Sequence, residues 1–142
     1  MTKLLLSLHV IAAILAVGPV AVAASRFPGA LRRLEPERDL SELRLLHKIC
    51  RVYAVVGIAV PVFGLATASS LGVLGDPWLI ISMTLTAAAA AVLILLVLPG
   101  QERALTTPTP PGRLAAHVGV FNLLWATVTI LMITRPGSTT GV

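Results

Sequence analysis

The sequence predicts an all-α, polytopic membrane protein, a bundle of four transmembrane helices with both termini on the extracytoplasmic side. Hydrophobic residues make up 56% of the 142 residues and charged residues only 12%, whereas soluble domains carry about 25% charged residues. Four apolar runs are each long enough to cross a hydrocarbon core of about 30 Å. The basic residues are concentrated in two of the three connections. In lipid each run must be helical, because a helix pairs its own backbone amides and carbonyls.

The four runs define one transmembrane domain, residues 1–142, which leaves little chain for a soluble domain. We expect the spans at about residues 4–24, 42–69, 77–98 and 114–133. Between them we expect a basic connection at 25–41 and a proline-rich connection at 99–113, with a flexible tail at 136–142.

Local signals predict where three helix ends fall. Asp39-Leu40-Ser41-Glu42 resembles a capping box, in which Asp39 accepts hydrogen bonds from first-turn amides and Glu42 reaches back. Asp76-Pro77 is a second start signal, a cap followed by proline at the first helical position. Leu98-Pro99-Gly100 is expected to end the third helix, because proline and glycine interrupt helices.

The basic residues predict the orientation. The first connection and its flanks contain Arg26, Arg32, Arg33, Arg38, Arg44, Lys48 and Arg51, and the third connection contains Arg103 and Arg113. The opposite side has only Lys3 and Arg135. Because Lys and Arg mark cytoplasmic loops, we expect both of these connections in the cytoplasm and the protein in a bacterial inner membrane, as a multi-pass protein.

An alternative is that the first apolar run is a signal peptide. Ala21-Val22-Ala23-Ala24-Ser25 has the small residues of a signal-peptidase site. Cleavage there would place the arginine-rich connection outside, against the charge rule. We therefore expect a retained first helix.

The small residues predict which helix faces pack together, because they let helix backbones approach closely in membranes. On the first helix the packing face is His9, Ala12, Ala13, Ala16, Val20 and Ala23, and the lipid face is Leu4, Ile11, Ile14, Leu15 and Val22. On the second helix the seam is Cys50, Ala54, Gly57, Pro61, Gly64 and Ala68. On the fourth it is Ala115, Gly119, Asn122, Ala126 and Thr129.

Three histidines are the candidate ligand residues. His9 is expected to face the bundle, either as a neutral imidazole bonded to a serine, threonine or carbonyl of a neighbouring helix, or as a ligand to haem or metal. His47 and His117 are weaker candidates, and we expect both to be interfacial side chains. No pair of histidines matches in both depth and direction, which disfavours a bis-histidine haem.

The remaining residues favour a non-enzymatic protein. Apart from Glu42 at the very start of the second span, no Asp or Glu lies inside a span. No carboxylate or second histidine is placed to join His9 as a ligand, so no metal site is predicted. Cys50 is expected to be a buried, inert thiol. The net charge of +5 comes from helix ends and predicts no nucleic-acid partner.

We expect an integral membrane protein that acts by helix packing with itself, as a homo-oligomer, or within a larger membrane complex in the lipid bilayer. The alternative is a small haem- or metal-binding redox or transport protein centred on His9.

Several short motifs carry a resemblance to a known group of proteins. They are Leu8-His9 followed by Ala12-Ala13 and Gly18, Arg51-Val52-Tyr53-Ala54 at the second span, and Leu131-Met132-Ile133-Thr134-Arg135-Pro136. Over nearly the whole chain the sequence resembles uncharacterised bacterial four-helix predicted integral membrane proteins. More distantly, it is similar to the copper-resistance protein D and HemJ-type protoporphyrinogen oxidase membrane folds. That resemblance implies haem b as the cofactor and carries over a single residue, His9. The chain departs from the HemJ type because its third span has no lysine.

Overall fold

The computed structural model describes residues 1–34 and 39–138, in which helices are joined by short turns and no strand occurs. The helices are α1 (Thr2–Arg32), α2 (Ser41–Val56), α3 (Ala59–Leu71), α4 (Pro77–Val92), α5 (Leu98–Thr106) and α6 (Pro111–Thr134). A π-helical turn, Leu93–Val97, joins α4 to α5. They form four helices long and apolar enough to cross a membrane, namely α1, α2 with α3, α4 with α5, and α6. The prediction of an all-α protein with four such helices is confirmed.

The first helix is longer than expected. The sequence predicts a connection from residue 25, but α1 continues to Arg32 and passes through Pro28. Phe27, Ala30 and Leu31 are buried on the same helix, so the packing face of α1 extends two turns beyond the expected end. The connection is correspondingly shorter, and its residues 35–38, including Arg38, lie outside the described residues.

The second helix begins at the predicted place, but half of the predicted capping box is wrong. The Asp39 carboxylate accepts a hydrogen bond from the backbone N–H of Ser41 at 3.0 Å and another from the Ser41 hydroxyl. Both bonds lower the pKa of Asp39, and the bond from the Ser41 hydroxyl has the larger effect. Glu42 does not reach back: its Oε1 accepts from Arg26 Nε at 2.8 Å and lies 3.7 Å from Arg33 Nη2. The longer α1 brings those two cations beside it.

A break at Gly57–Ile58 divides the second long helix into α2 and α3. Pro61 lies four residues after Gly57, and a proline ring inside a helix clashes with the carbonyl four residues earlier and removes one hydrogen bond. The chain tightens there instead, with the Val60 N–H donating to the Gly57 carbonyl at 3.1 Å.

The third helix starts at Pro77 with Asp76 at the N-cap position, as predicted. The Asp76 carboxylate makes no capping bond to a backbone amide and instead accepts from Trp78 Nε1 at 3.0 Å. The predicted end at Leu98-Pro99-Gly100 is wrong, because α5 continues to Thr106. The π-helical turn precedes Pro99, and its wider coil makes room for a proline ring where the backbone bonding is already irregular. Gly100 acts in packing: a β-carbon there would lie 3.1 Å from Leu114 Cδ1 of α6.

The fourth helix buries a face that matches the predicted one only in part. Its buried residues are Leu114, Val118 and Phe121, whereas Gly119 of the predicted face is exposed. The space between α6 and its neighbours is filled by large side chains. The predicted packing face of α6 is therefore correct only in part, because Gly119 and Thr129 are exposed whereas Ala115, Asn122 and Ala126 are half-buried.

Each of the four long helices packs against two others, so that the bundle closes into a ring. The first helix packs against α2, α3 and α6, while α6 packs against α4, and α5 packs against α2. Most buried apolar residues form one cluster toward the α2–α5 end, including Phe27, Leu43, Cys50, Val97 and Phe121. A small second cluster of Ala68, Trp78 and Leu79 closes the other end.

Burial confirms the two faces predicted for the first helix. Ala12, Ala16, Val20 and Ala23 are at most 9% exposed. The predicted lipid face is at least 52% exposed, at Leu4, Ile11, Ile14, Leu15 and Val22. On the second long helix, Cys50 and Ala68 are buried and Ala54, Gly57 and Gly64 are half-buried, but Pro61 is exposed. The prediction that these residues face the bundle is therefore confirmed except at Pro61.

Candidate functional site

His9 lies in the contact between α1 and α3. Its Nδ1 is 2.8 Å from the backbone carbonyl oxygen of Val60. A carbonyl only accepts hydrogen bonds, so Nδ1 carries the proton and donates it, and the lone pair of the neutral ring is on Nε2. The expected position of His9, facing the bundle and bonded to a carbonyl of a neighbouring helix, is confirmed. The same bond is the one that orients many metal-binding imidazoles, so Nε2 is the atom that could bind a ligand.

Gly64 provides the space for this imidazole. A β-carbon at Gly64 would lie 2.9 Å from Cε1 of His9 and 3.1 Å from its Nδ1. At Gly57, another residue of the same seam, a β-carbon would lie 3.8 Å from Cβ of Ala16 of α1, an ordinary van der Waals contact. Of these two glycines, only Gly64 is needed to make space for a side chain of α1.

His47 is buried, so its prediction as an interfacial, solvated side chain is wrong. It is 8% exposed, and its Nδ1 lies 2.9 Å from Oε1 of Gln101. The cause is the continuation of the third helix: because α5 extends past Gly100, it places Gln101 against α2. The bond joins the second and third long helices near one end of the bundle.

Gln101 is the polar residue at this end that the sequence interpretation missed. It is completely buried, and its Nε2 donates to Cys50 Sγ at 3.5 Å. Cys50 is also completely buried, as expected. A signal was present in the sequence: Val97, Gln101 and Ala104 are spaced by four and three residues, the pattern of one helix face. The expected stop at Pro99 concealed it.

His117 lies on α6 and is half-buried. It makes no hydrogen bond within the part of the chain that the structure describes. His9 and His47 each bond a different partner, on α3 and α5, and the described residues form no group of three or more His, Cys, Asp or Glu side chains that could hold a metal ion. The contacts therefore bring none of the three histidines together.

A second polar contact joins α1 to α6. Asn122 Nδ2 donates to Ser25 Oγ at 2.9 Å, and Trp125 Nε1 donates to Asn122 Oδ1 at 3.1 Å. These bonds satisfy polar groups in an apolar setting, where an unpaired donor is costly. The Asn122–Ser25 bond connects α6 to α1, and the Trp125–Asn122 bond lies within α6 and orients the amide.

A groove lies on the outside of α2, beside α5. Its polar lining is Arg44, His47, Lys48 and Arg51, and its volume is about 380 Å³. Val52, Val55 and Leu105 form its apolar lining. We call this feature the basic groove, since the described residues that line it include no acidic side chain.

Comparisons of the chain with protein-family models, with curated proteins and with solved structures find no match. The resemblance to bacterial four-helix membrane proteins stays a prediction.

Proposed function

We propose that the chain is a multi-pass integral membrane protein that acts by helix packing, with a second copy of itself or with a membrane partner. The observation that carries this proposal is the exposed face of α4. Of the five alanines at 87–91, Ala89 alone is buried, while Ala87, Ala90 and Ala91 are exposed. Most of this alanine run is therefore unused by packing within the chain.

The exposed alanines belong to a longer stripe with the spacing of a helix interface. Its residues, spaced by four, three, four and three positions, are Ile80, Thr84, Ala87, Ala91 and Ile94, and every one is exposed. This is the spacing of a left-handed helix pair, and small residues at its centre allow two backbones to approach closely. We call it the α4 stripe.

Crosslinking in membranes tests the proposal. In a Cys50→Ala background, we expect Ala87→Cys and Ala91→Cys to form crosslinked dimers. The matched control is Ile14→Cys, which is exposed on α1, on the far side of that helix from its packing face. A membrane partner would instead give an adduct of another mass at the same two positions. Crosslinking that is equal at the stripe and the control would contradict the proposal.

We also propose that both termini face outward, in a bacterial plasma membrane. The orientation rests on the excess of basic residues in the first and third connections, and the membrane type on the sequence resemblance alone. Labelling intact cells with an impermeant maleimide tests the orientation. We expect Leu74→Cys to be labelled and Thr107→Cys to be protected, and the reverse pattern would overturn it.

A second candidate function, haem or metal binding at His9, is favoured by one observation. The Nδ1 bond to the Val60 carbonyl leaves Nε2 uncommitted, which is the arrangement of an oriented metal-binding histidine. The visible absorption spectrum of the purified protein, oxidised and reduced, tests it beside His9→Ala. A Soret band lost in the variant would establish this function. A colourless protein from haem-replete cells would remove haem from consideration.

A further inference from the structure

The basic groove carries three cationic side chains on one face of α2. Arg44, Lys48 and Arg51 are spaced by four and three residues, so they lie above one another on the helix surface. All three are exposed. Their positive charges are therefore concentrated on one part of the surface of α2.

No carboxylate in the described residues neutralises these charges by an ion pair. The ion pairs of this region join Glu42 to Arg26 and Arg33. Asp39 is close enough for the charge of Arg44 to help lower its pKa, but the bonds to Ser41 are the larger cause. The charged side chains among the described residues that line the groove are therefore all positive, and an anion could balance them.

The groove is also apolar at one end. Val52 and Val55 follow the cations along the helix, toward the middle of the second long helix, and are 50% and 68% exposed. Leu105 of α5 also lines the groove and is half-buried, but it lies one turn beyond Gln101 and therefore at the cationic end. Along α2 itself the groove runs from the cations to Val52 and Val55, which lie toward the hydrocarbon region.

We infer that the basic groove binds an anionic phospholipid of the surrounding leaflet. Its phosphate would lie among Arg44, Lys48 and Arg51, and an acyl chain would lie along Val52 and Val55. A phospholipid has this division into an anionic head and an apolar tail, and juxtamembrane clusters of Lys and Arg attract anionic headgroups. This inference rests on the proposed membrane location, and it does not depend on the proposed helix packing.

His47 adds a polar contact at the floor of the groove. Its Nδ1 is held by Gln101, and among the described residues no buried side-chain nitrogen or oxygen lacks a partner. Since Nε2 has no hydrogen-bond partner there, it must reach the surface, and the surface that His47 lines is this groove. Nε2 can accept a hydrogen bond from a headgroup hydroxyl, such as that of the glycerol in phosphatidylglycerol.

Thermal unfolding in mild detergent tests the inference at constant ionic strength. The full chain is titrated separately with dioctanoyl phosphatidylglycerol, dioctanoyl phosphatidylcholine and sodium phosphate. We expect phosphatidylglycerol to raise Tm with saturation, and the other two to leave it unchanged. The triple variant Arg44→Gln/Lys48→Gln/Arg51→Gln should raise the midpoint concentration of phosphatidylglycerol by on the order of a hundredfold, since each basic residue near an anionic lipid contributes about fivefold.

A matched variant separates the groove from general surface charge. Arg32→Gln/Arg103→Gln/Arg113→Gln removes the same number of cations at exposed positions outside the groove, and we expect its midpoint to stay within about threefold of the parent. Equal weakening in the two triple variants would overturn the inference, as would an unchanged Tm of the parent protein with phosphatidylglycerol. A Tm rise with sodium phosphate equal to that with the lipid would also overturn it, because the site would then recognise phosphate alone. Dimer crosslinking at the α4 stripe does not depend on any of these outcomes.

Discussion

The imidazole of His9 packs directly on the backbone of α3 at Gly64, so closely that a β-carbon on Gly64 would lie 2.9 Å from the ring Cε1. One turn earlier on α3, the Val60 carbonyl holds the same ring through Nδ1 at 2.8 Å. The glycine and the carbonyl together fix the position of the ring. His9 is thus a polar contact between the first and second long helices.

Gly64→Ala should destabilise the protein. The added methyl group forces the ring of His9 to rotate away from the Val60 carbonyl, which adds the loss of a hydrogen bond to the cost of overpacking. We expect the free energy of unfolding, measured by detergent denaturation in mixed micelles, to fall by about 1–3 kcal/mol.

Two further variants identify the cause. Gly119→Ala is the matched control, because a β-carbon there meets nothing within 4 Å. It should leave the free energy of unfolding unchanged or raise it by up to about 1 kcal/mol, since alanine favours a helix more than glycine does. Gly64→Ala should cost less when His9→Ala is already present, and an undiminished cost would show that the ring is not the obstacle.

Replacing Gln101 alone should lower the free energy of unfolding more than replacing Gln101 and His47 together. Gln101→Leu leaves the Nδ1–H of His47 buried without its acceptor, which costs about 1–3 kcal/mol in the free energy of unfolding. Leucine at both positions removes donor and acceptor together, so the double variant should recover part of that loss.

A double-mutant cycle measured by the same denaturation checks this prediction. The neighbouring exposed residue provides the control, since Glu102→Gln should change the free energy of unfolding by less than about 0.5 kcal/mol. Additive effects of the two leucine substitutions would contradict the bond between His47 and Gln101.

Cys50 should resist thiol reagents in the folded protein. Its side chain is completely buried and accepts a hydrogen bond from Gln101, so a maleimide that enters the bilayer cannot reach the sulfur. We expect labelling only after denaturation, as measured by mass spectrometry. An added cysteine at the exposed position in Ile14→Cys should label without denaturation, and rapid labelling of Cys50 in the parent protein would contradict the burial.

The first turn of α2 should show a pH dependence set by Asp39. The hydrogen bonds from Ser41 lower the pKa of this carboxyl below its ordinary value of 3.8. A lowered pKa means that the stabilisation is fully present above pH 3.8 and is lost as the pH falls through the folded pKa.

Ser41→Ala removes the hydroxyl bond, which is the largest cause of the shift. We expect the Asp39 pKa, followed by carbon NMR of the carboxyl group, to rise toward 3.8. Ser7→Ala removes a hydroxyl that bonds only the Lys3 carbonyl and should not move it. An unchanged Asp39 pKa in Ser41→Ala would contradict the assignment.

Composition and hydrophobic periodicity were sufficient to predict much of the fold. Four long apolar runs give four membrane-length helices, because an isolated run in lipid can satisfy its backbone only as a helix. The position of small residues on α1 predicted which side is buried, and it placed His9 against a neighbouring helix. These features depend on one helix at a time, so local sequence is enough to predict them.

The end of the third long helix, and the residues that it contacts near Gln101, were not predictable in this way. Pro99 and Gly100 signal a stop locally, yet the π-helical turn lets the helix continue and α6 packs closely at Gly100. That continuation brings Gln101 to His47 and buries a histidine that local context places at the surface.

The sequence by itself determined that this protein has four membrane-length helices and that His9 lies on a packing face, since both follow from hydrophobic burial along a single helix. Tertiary structure alone decided that His47 bonds Gln101, that α6 buries Leu114, Val118 and Phe121, and that most alanines of α4 stay exposed. Those outcomes depend on the shape of the space between the helices, which is set by all the neighbouring helices together and cannot be derived from any one helix alone.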